Sequence, residues 1–196
     1  MIHIIDIDTT IADNSHRASF LVKTCKQCLG QVPTSHRAVC QCCGSTEHTI
    51  DQSSWDVFLD ADMLAQDIPE PEAQRVVSGF VKHGVEHHYL TGRNESLREV
   101  TETWLTMHFG FDEERSQLIM RPFDAEDVPA SSYKEQAFRR LKSEVNNPES
   151  GFIFYEDDPF VFSMYEKYGM VLKCPEAWPC VMPPGASRRN EAARNV

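Results

Sequence analysis

The sequence predicts an α/β fold built on an open parallel sheet flanked by helices, and three observations carry that expectation. The chain opens on a β-branched run, Ile2-His3-Ile4-Ile5-Asp6-Ile7-Asp8-Thr9-Thr10, which reads as a buried strand. Further short apolar segments at 85–90, 118–120, 152–155 and 170–172 alternate with stretches of helical spacing. Reactive side chains gather where these strand segments end, the edge at which open α/β sheets bind ligands.

The opening strand delivers two carboxylates and two hydroxyls. Asp6 and Asp8 are two residues apart, so in a regular strand both would leave the same face and crowd together. Ionised carboxylates that close repel unless a cation or a shared proton separates them. A nucleophile beside a metal, with its neighbour holding a proton for a leaving group, resolves the conflict. An acidic turn with no chemistry is the competing reading of these two residues alone. The polar loop Ala12 to Arg17 follows, and His16 reads as a surface residue.

Residues 20–50 form a separate insertion. Cys25, Cys28, Cys40 and Cys43 make two CxxC knuckles separated by eleven residues, a pattern that places four sulfurs around zinc. Four cysteine ligands leave no position for a reactive water, so a structural Zn²⁺ is expected. Cys42 competes with Cys43 for the last position, and His36 and His48 are lesser alternatives. The expected organisation is a discontinuous main domain of 1–19 and 51–182, the insertion at 20–50, and a tail over 183–196 that lacks apolar periodicity.

Beyond the insertion, residues 53–65 read as helical, with Trp55, Phe58 and Leu59 packing one face. Pro69 and Pro71 precede a helix over 72–83. The strand at 85–90 places adjacent His87 and His88 on opposite faces, which favours local surface or packing roles over metal binding. It runs into Thr91-Gly92-Arg93, read as a turn: a hydroxyl for a phosphoryl oxygen, a flexible residue, and a guanidinium with several fixed donors for phosphate. A helix over 95–109 and a strand at 118–120 lead to Arg121, a candidate phosphate contact or a solvated residue. Lys134 stands near the start of a helix reaching residue 142, where it can neutralise Asp6 and an incoming phosphate. Asn146-Asn147-Pro148 breaks that helix. The strand at 152–155 ends in Glu156-Asp157-Asp158; with Asp6 and the backbone carbonyl of Asp8, Asp157 makes a hard oxygen site suited to Mg²⁺, and Asp158 is a neighbouring ligand or hydrogen-bonding residue. A helix over 160–168 and a strand at 170–172 complete the set. Cys174 and Cys180 do not extend the zinc pattern and read as buried or free thiols.

Composition bounds the function. The chain has 196 residues, 41% apolar and 25% charged, an ordinary globular balance. Its formal net charge of −11 disfavours a broad duplex-binding surface, which needs many cations, but leaves room for a local positive pocket around Arg17, Arg93 and Lys134. No run approaches bilayer length and no secretory segment precedes the first strand, so no membrane association and a cytoplasmic location are expected. No phosphate-binding GxxxxGK[ST] loop or internal repeat is present.

The ordered set of Asp6 and Asp8, Thr91-Gly92-Arg93, Lys134 and the acidic end of the fourth strand resembles the four motifs of the haloacid dehalogenase-like (HAD) phosphatases. Within that superfamily it is most similar to the 3′-phosphatase domains of phage polynucleotide kinases, through the TGR turn, Arg98, Trp104-Leu105 and Met120-Arg121. The resemblance covers most of residues 2–174 apart from the insertion, which resembles a zinc ribbon standing where many HAD proteins carry a cap. Ala130 stands where those domains commonly have an aspartate four residues before the motif lysine, and Asp127 is the nearest substitute.

What the resemblance implies is a HAD-like Rossmannoid sheet and Mg²⁺-dependent phosphomonoester hydrolysis. Asp6 would be the nucleophile and Asp8 the acid and base; Thr91 and Lys134 would hold the phosphoryl oxygens and Thr10 would support the loop. Arg17, eleven residues after Asp6, together with Arg93 and Arg121 would contact substrate. The expected substrate is a nucleic-acid 3′-phosphate end. Deoxynucleoside monophosphates are the alternative, and a non-enzymatic zinc-module binding protein is the third reading.

Overall fold

The computed structural model describes residues 1–32, 39–125, 128–145 and 149–184; His36, Asp127, the 146–148 helix break and the tail from residue 185 lie outside them. Five parallel strands form the central sheet: β1 (Ile2–Ile5), β7 (His87–Asn94), β8 (Leu118–Arg121), β9 (Phe152–Glu156) and β10 (Met170–Lys173), in the spatial order β10-β9-β1-β7-β8. The chain winds outward from β1 through β7 to β8, then returns to the other side of β1 for β9 and β10. The reversal lies between β1 and β9, the crevice where an open α/β sheet binds ligands.

Alternation along each strand fills both faces. Ile5, Tyr89 and Tyr155 pack under α4 (Pro71–His83) and α5 (Arg98–Phe109), against Val76, Val77, Phe80, Trp104, Leu105 and Phe109. Ile2, Ile4, Leu90, Phe152 and Phe154 face the other way, under α6 (Ala130–Glu144) and α7 (Pro159–Tyr165), against Phe138, Leu141, Val161 and Tyr165. Burial on both sides is why these strands read as nearly continuous apolar runs. Helix α4 starts with Pro71 and ends at Gly84, whose φ of +63° lets the Val85 N–H reach the Phe80 carbonyl and the Gly84 N–H reach that of Val81.

Several boundaries differ from the sequence reading. The 53–65 stretch is two helices, α2 (Gln52–Phe58) and α3 (Ala61–Leu64), because Asp51 and Asp60 cap separate starts through Ser54 N and Met63 N. Helix α7 stops at Tyr165, short of residue 168. Strand β7 runs on through the expected turn: Thr91, Gly92 and Arg93 stand opposite Met120 alone, a bulge between the Leu90–Ile119 and Asn94–Arg121 pairs. His87 and His88 are both buried, as a packing role requires.

The chain leaves the main fold after β2 (Ala12–Asp13) and the short α1 (Ser15–Ala18). It then builds a three-stranded antiparallel sheet from β3 (Lys23–Cys25), β4 (Gln31–Val32) and β5 (His48–Ile50), ordered β4-β3-β5. The path returns through α2, α3 and β6 (Ile68–Pro69), which pairs antiparallel with β2. No helix among the described residues is long and apolar enough to cross a membrane.

Two paired histidines of the sheet, His3 on β1 and His87 on β7, are held below their ordinary pKa. Burial, with His87 adding repulsion, lowers the pKa of His3 from 6.5 to about 4, and burial also lowers that of His87. His3 pairs through Nδ1 with the Tyr155 hydroxyl at 2.9 Å, and its ring centroid lies 4.3 Å from that of Phe80. Between the ordinary histidine value and the depressed one the unfolded chain binds more protons, so this contribution to stability is lost on acidification. His3→Phe should therefore show a smaller drop in thermal midpoint than the parent protein between pH 7 and pH 5, measured by parallel melts in matched buffers; equal drops would remove His3 from this role.

Candidate active site

The regular strand ends at Ile5, although Asp6 N still bonds the Tyr155 carbonyl of β9 at 3.0 Å. The chain then turns through Ile7, whose carbonyl accepts from Thr10, Ile11 and Ala12, and Thr9 sits at φ +63°. A β-branched residue in the left-handed region is strained, a cost of about 1–3 kcal/mol that the surrounding structure must hold. The geometry replaces the expected crowding of Asp6 and Asp8 on one face with two separate environments.

Asp6 is buried in a carboxylate cluster with one cation. Lys134, on the first turns of α6, places Nζ 2.8 Å from Asp6 Oδ1 and 2.8 Å from Glu156 Oε2, and all three side chains are at least 94% buried. Asp6, Glu156 and Asp157 bring carboxylate oxygens within 4.8 Å of one another. The Thr10 hydroxyl lies 3.4 Å from Asp6 Oδ2 and 3.5 Å from Asp157 Oδ1, bridging the ends of β1 and β9. Its loop is tied down by Trp178, whose indole N–H donates to the Thr10 carbonyl at 2.8 Å. Burial, reinforced by Asp6, raises Glu156 to about 8 and Asp157 to about 7; burial likewise raises Asp6 despite Lys134. Lys134 is pushed well above its ordinary value because Asp6 and Glu156 outweigh its own burial. Three crowded carboxylates against one ammonium leave a deficit of positive charge that suits a divalent cation.

Asp8 faces two guanidiniums. Arg93 donates to Asp8 from Nε at 3.0 Å and from Nη2 at 2.9 Å, Arg17 Nη2 bonds the same carboxylate, and Asn14 Nδ2 lies 3.4 Å from it. Burial alone would raise this carboxyl, but Arg93 and Arg17 hold it far below the usual range. Its side chain remains 25% exposed, so it is open to a ligand. Arg17 and Arg93, expected to surround a substrate phosphate, are instead almost wholly buried against Asp8 and Asp67.

The other expected residues fall as follows. Thr91 is fully buried in the β7 bulge, and its hydroxyl accepts the Arg93 N–H at 3.2 Å. Gly92 does not serve a left-handed turn, since the bulge keeps it within β7. Arg121 braces the loop before α6, donating to the Ala125 and Val128 carbonyls at 3.3 and 2.9 Å and lying over the Tyr133 ring. Arg98 bonds Glu95, in the 3-10 turn before α5, and Glu102 within α5. Asp158 caps α7 by accepting Phe160 N at 2.8 Å, and neither it nor the Asp8 side chain joins the carboxylate cluster. Asp67 and Glu156 escaped the sequence reading. Glu156 carried a signal, the first of three acids at a strand end; Asp67 carried none.

In the insertion the four sulfurs of Cys25, Cys28, Cys40 and Cys43 lie within 4.8 Å of one another. The Cys25–Cys43 and Cys28–Cys40 pairs, at 3.5 and 3.4 Å, are too far apart for disulfides and close to the roughly 3.8 Å edge implied by four zinc–sulfur bonds of about 2.3 Å. The two knuckles repeat one backbone pattern: Leu29 N to Cys25 O and Gly44 N to Cys40 O, with Leu29 and Gly44 both in the left-handed region. This repeat aligns Cys43 with Cys28 and leaves Cys42 exposed outside the set. Backbone N–H groups of Cys28 and Gln27 lower the Cys25 thiol to about 6, and those of Cys43 and Cys42 lower Cys40, while neighbouring sulfurs and burial raise Cys28 and Cys43, so in the absence of a metal the four thiols share their protons rather than ionise together. The cluster is compatible with zinc. His48 bonds the Thr46 carbonyl, and Cys174 and Cys180 take no part.

A family model for the HAD superfamily, subfamily IIIB (Acid phosphatase), matches residues 34–147, more than half of the chain. The chain belongs to that subfamily. The match includes Thr91, Arg93 and Lys134, while the flanking Asp6, Asp8, Glu156 and Asp157 of this HAD phosphatase are joined to them by the fold. No curated protein matches the chain.

Among the described residues the cluster around the sulfurs is Cys25, Val32 and Cys40 with Cys43 packed against it, a small core of the kind that a structural metal holds together. Protein purified without chelator should carry one tightly held zinc per chain. Cys25→Ser or Cys40→Ser should lower zinc retention and expose the insertion to protease, read by elemental analysis and limited proteolysis. Zinc-free parent protein would sink the site.

Proposed function

We propose that this phosphatase hydrolyses 3′-phosphate ends of nucleic acid by way of an aspartyl-phosphate. The observation that carries the chemistry is the separation of Asp6, paired with Lys134 among carboxylates, from Asp8, paired with arginines, at the reversal point of the sheet. Asp6 Oδ attacks phosphorus, and the P–O bond to the leaving group breaks. Asp8 supplies the proton to the departing oxygen and then takes one from the water that hydrolyses the intermediate. The two arginines oppose protonation of Asp8; an arriving phosphate dianion acts in the other direction and raises its proton affinity when a proton is needed.

Lys134 and Thr91 hold phosphoryl oxygens as charge shifts, and Thr10 keeps Asp6 and Asp157 in register. Glu156 spends its oxygens on Lys134 and on the Asp158 N–H at 3.2 Å, which favours Asp6 and Asp157, with the Asp8 backbone carbonyl, as the residues that would hold Mg²⁺. When bound there, Mg²⁺ supplies positive charge to the transferring phosphoryl group. Arg17 and Arg93 serve through Asp8, and Arg121 through the loop it braces.

The likeness of the TGR-to-MR region to phage end-healing phosphatases supports a nucleic-acid end. The formal charge of −11 favours a second reading, small deoxynucleoside monophosphates, because a long acidic strand gains little from an acidic surface. With Mg²⁺ present, a 3′-phosphorylated oligonucleotide should have a higher kcat/KM than its 5′-phosphorylated counterpart, with little gain from lengthening the strand beyond a few nucleotides. A decisive preference for free 5′-deoxynucleotides would transfer the assignment to the second reading. Asp6→Asn should abolish phosphate release on every substrate while leaving the fold largely intact by its melting curve, and near-normal turnover by that variant would remove the mechanism.

A further inference from the structure

Asp67 lies between α3 and β6, where the chain re-enters the main fold after the insertion, and its side chain is wholly buried. It receives Arg17 Nε at 2.8 Å and Arg17 Nη2 at 2.9 Å, and Arg93 Nη2 at 2.6 Å. The same two guanidiniums hold Asp8, so two carboxylates and two arginines close a square with no net charge. Each arginine has a further anchor: Arg17 Nη1 donates to the Phe58 carbonyl at 3.0 Å, and Arg93 Nη1 lies 3.5 Å from the Thr101 hydroxyl. Asp67 is itself fixed by the Trp104 indole, which donates to its backbone carbonyl at 2.7 Å. Of the two carboxylates, Asp67 is sealed from solvent and Asp8 is partly open. The buried member therefore sets where the guanidiniums stand, and they set where the open member points.

We propose that Asp67 is a positioning residue for hydrolysis, acting through Arg17 and Arg93 to aim the Asp8 carboxyl at the oxygen of the leaving group. The inference rests on the reading of Asp8 as proton donor, and makes the exit root of the insertion part of the acid's support. A merely structural Asp67 would affect all substrates alike. In the step that forms the aspartyl-phosphate, a residue that aims the acid matters only where the departing oxygen needs a proton, because an alkoxide leaves poorly unprotonated and a nitrophenolate leaves well; the later hydrolysis, with Asp8 as base, is common to both esters and does not enter kcat/KM.

The test uses the full zinc-loaded chain with Mg²⁺ and two phosphomonoesters, glycerol 2-phosphate and p-nitrophenyl phosphate. Asp67→Asn should lower kcat/KM on the glycerol ester by about 100-fold, the lower range for loss of general acid catalysis, and on the nitrophenyl ester by less than about 5-fold. In an Asp8→Asn background the same change should add no further loss on the glycerol ester. Equal losses on the two esters, or an additive loss in the Asp8→Asn background, would overturn the inference. If Asp8→Asn alone shows no dependence on the leaving group, the reading of Asp8 as acid fails instead, and the inference falls with it. Should Asp67→Asn fail to fold, judged by its melting curve, Asp67→Glu keeps the charge and displaces it by one methylene. Its loss must then also be concentrated on the glycerol ester, and a uniform loss overturns the proposal.

Discussion

A single buried ammonium makes the rest of this structure possible. Lys134 sits between Asp6 and Glu156 with almost no solvent access, and Asp157 is close behind. Without it, the ends of β1 and β9 would bring three carboxylates together with nothing between them. Removing one partner of a buried ion pair typically costs about 3–5 kcal/mol, a large share of a domain's total stability. Helix α6 thus delivers a cation to the edge that β1 and β9 share, where it offsets part of the carboxylate repulsion. The same requirement explains why a group that stabilises the fold also stands where a phosphate would be bound.

The second consequence is a division between two aspartates that are neighbours in sequence. Asp6 is in a cluster where burial and like charges raise carboxyl pKa values; Asp8 is in one where guanidiniums lower them. Pushing paired titratable groups in opposite directions is a general way to assign them different tasks. Here the division is produced by backbone geometry. The strand stops at Ile5 and the turn folds around the Ile7 carbonyl, so that Asp6 meets Lys134 and Asp8 meets Arg17 and Arg93.

Much of this was legible in the sequence, and the failures have physical reasons. The strands were readable because apolar runs buried on both faces leave little ambiguity, and the reactive residues because they lie just past those runs. The knuckles were readable because a metal site encodes its ligands in local spacing; only the paired backbone pattern decided between Cys42 and Cys43. Local spacing could not say which of Glu156, Asp157 and Asp158 turns inward. Strand β9 continues through Glu156 and α7 takes Asp158 as its cap, which leaves Glu156 and Asp157 facing Asp6. The TGR segment was misread as a turn because glycine suggested one, whereas a bulge serves the same end inside the strand. Asp67 had no local signal at all, since its partner Arg17 is 50 residues away across the insertion.

That separation bears on how the molecule assembles. Bringing Arg17 and Asp67 together closes a long loop, and the entropy of closure grows only with the logarithm of length, about 0.6 kcal/mol for each doubling. The outermost cysteines of the cluster are just 18 positions apart, so a metal-bound knot could form early and shorten the chain that remains to be closed. The energetic saving is small. Its larger effect is on the ensemble searched: a compact knot on two short tethers visits far fewer arrangements than an unstructured segment, and brings its ends back toward each other. Metal supply during synthesis would then bear on how readily a newly made chain brings Arg17 and Asp67 together.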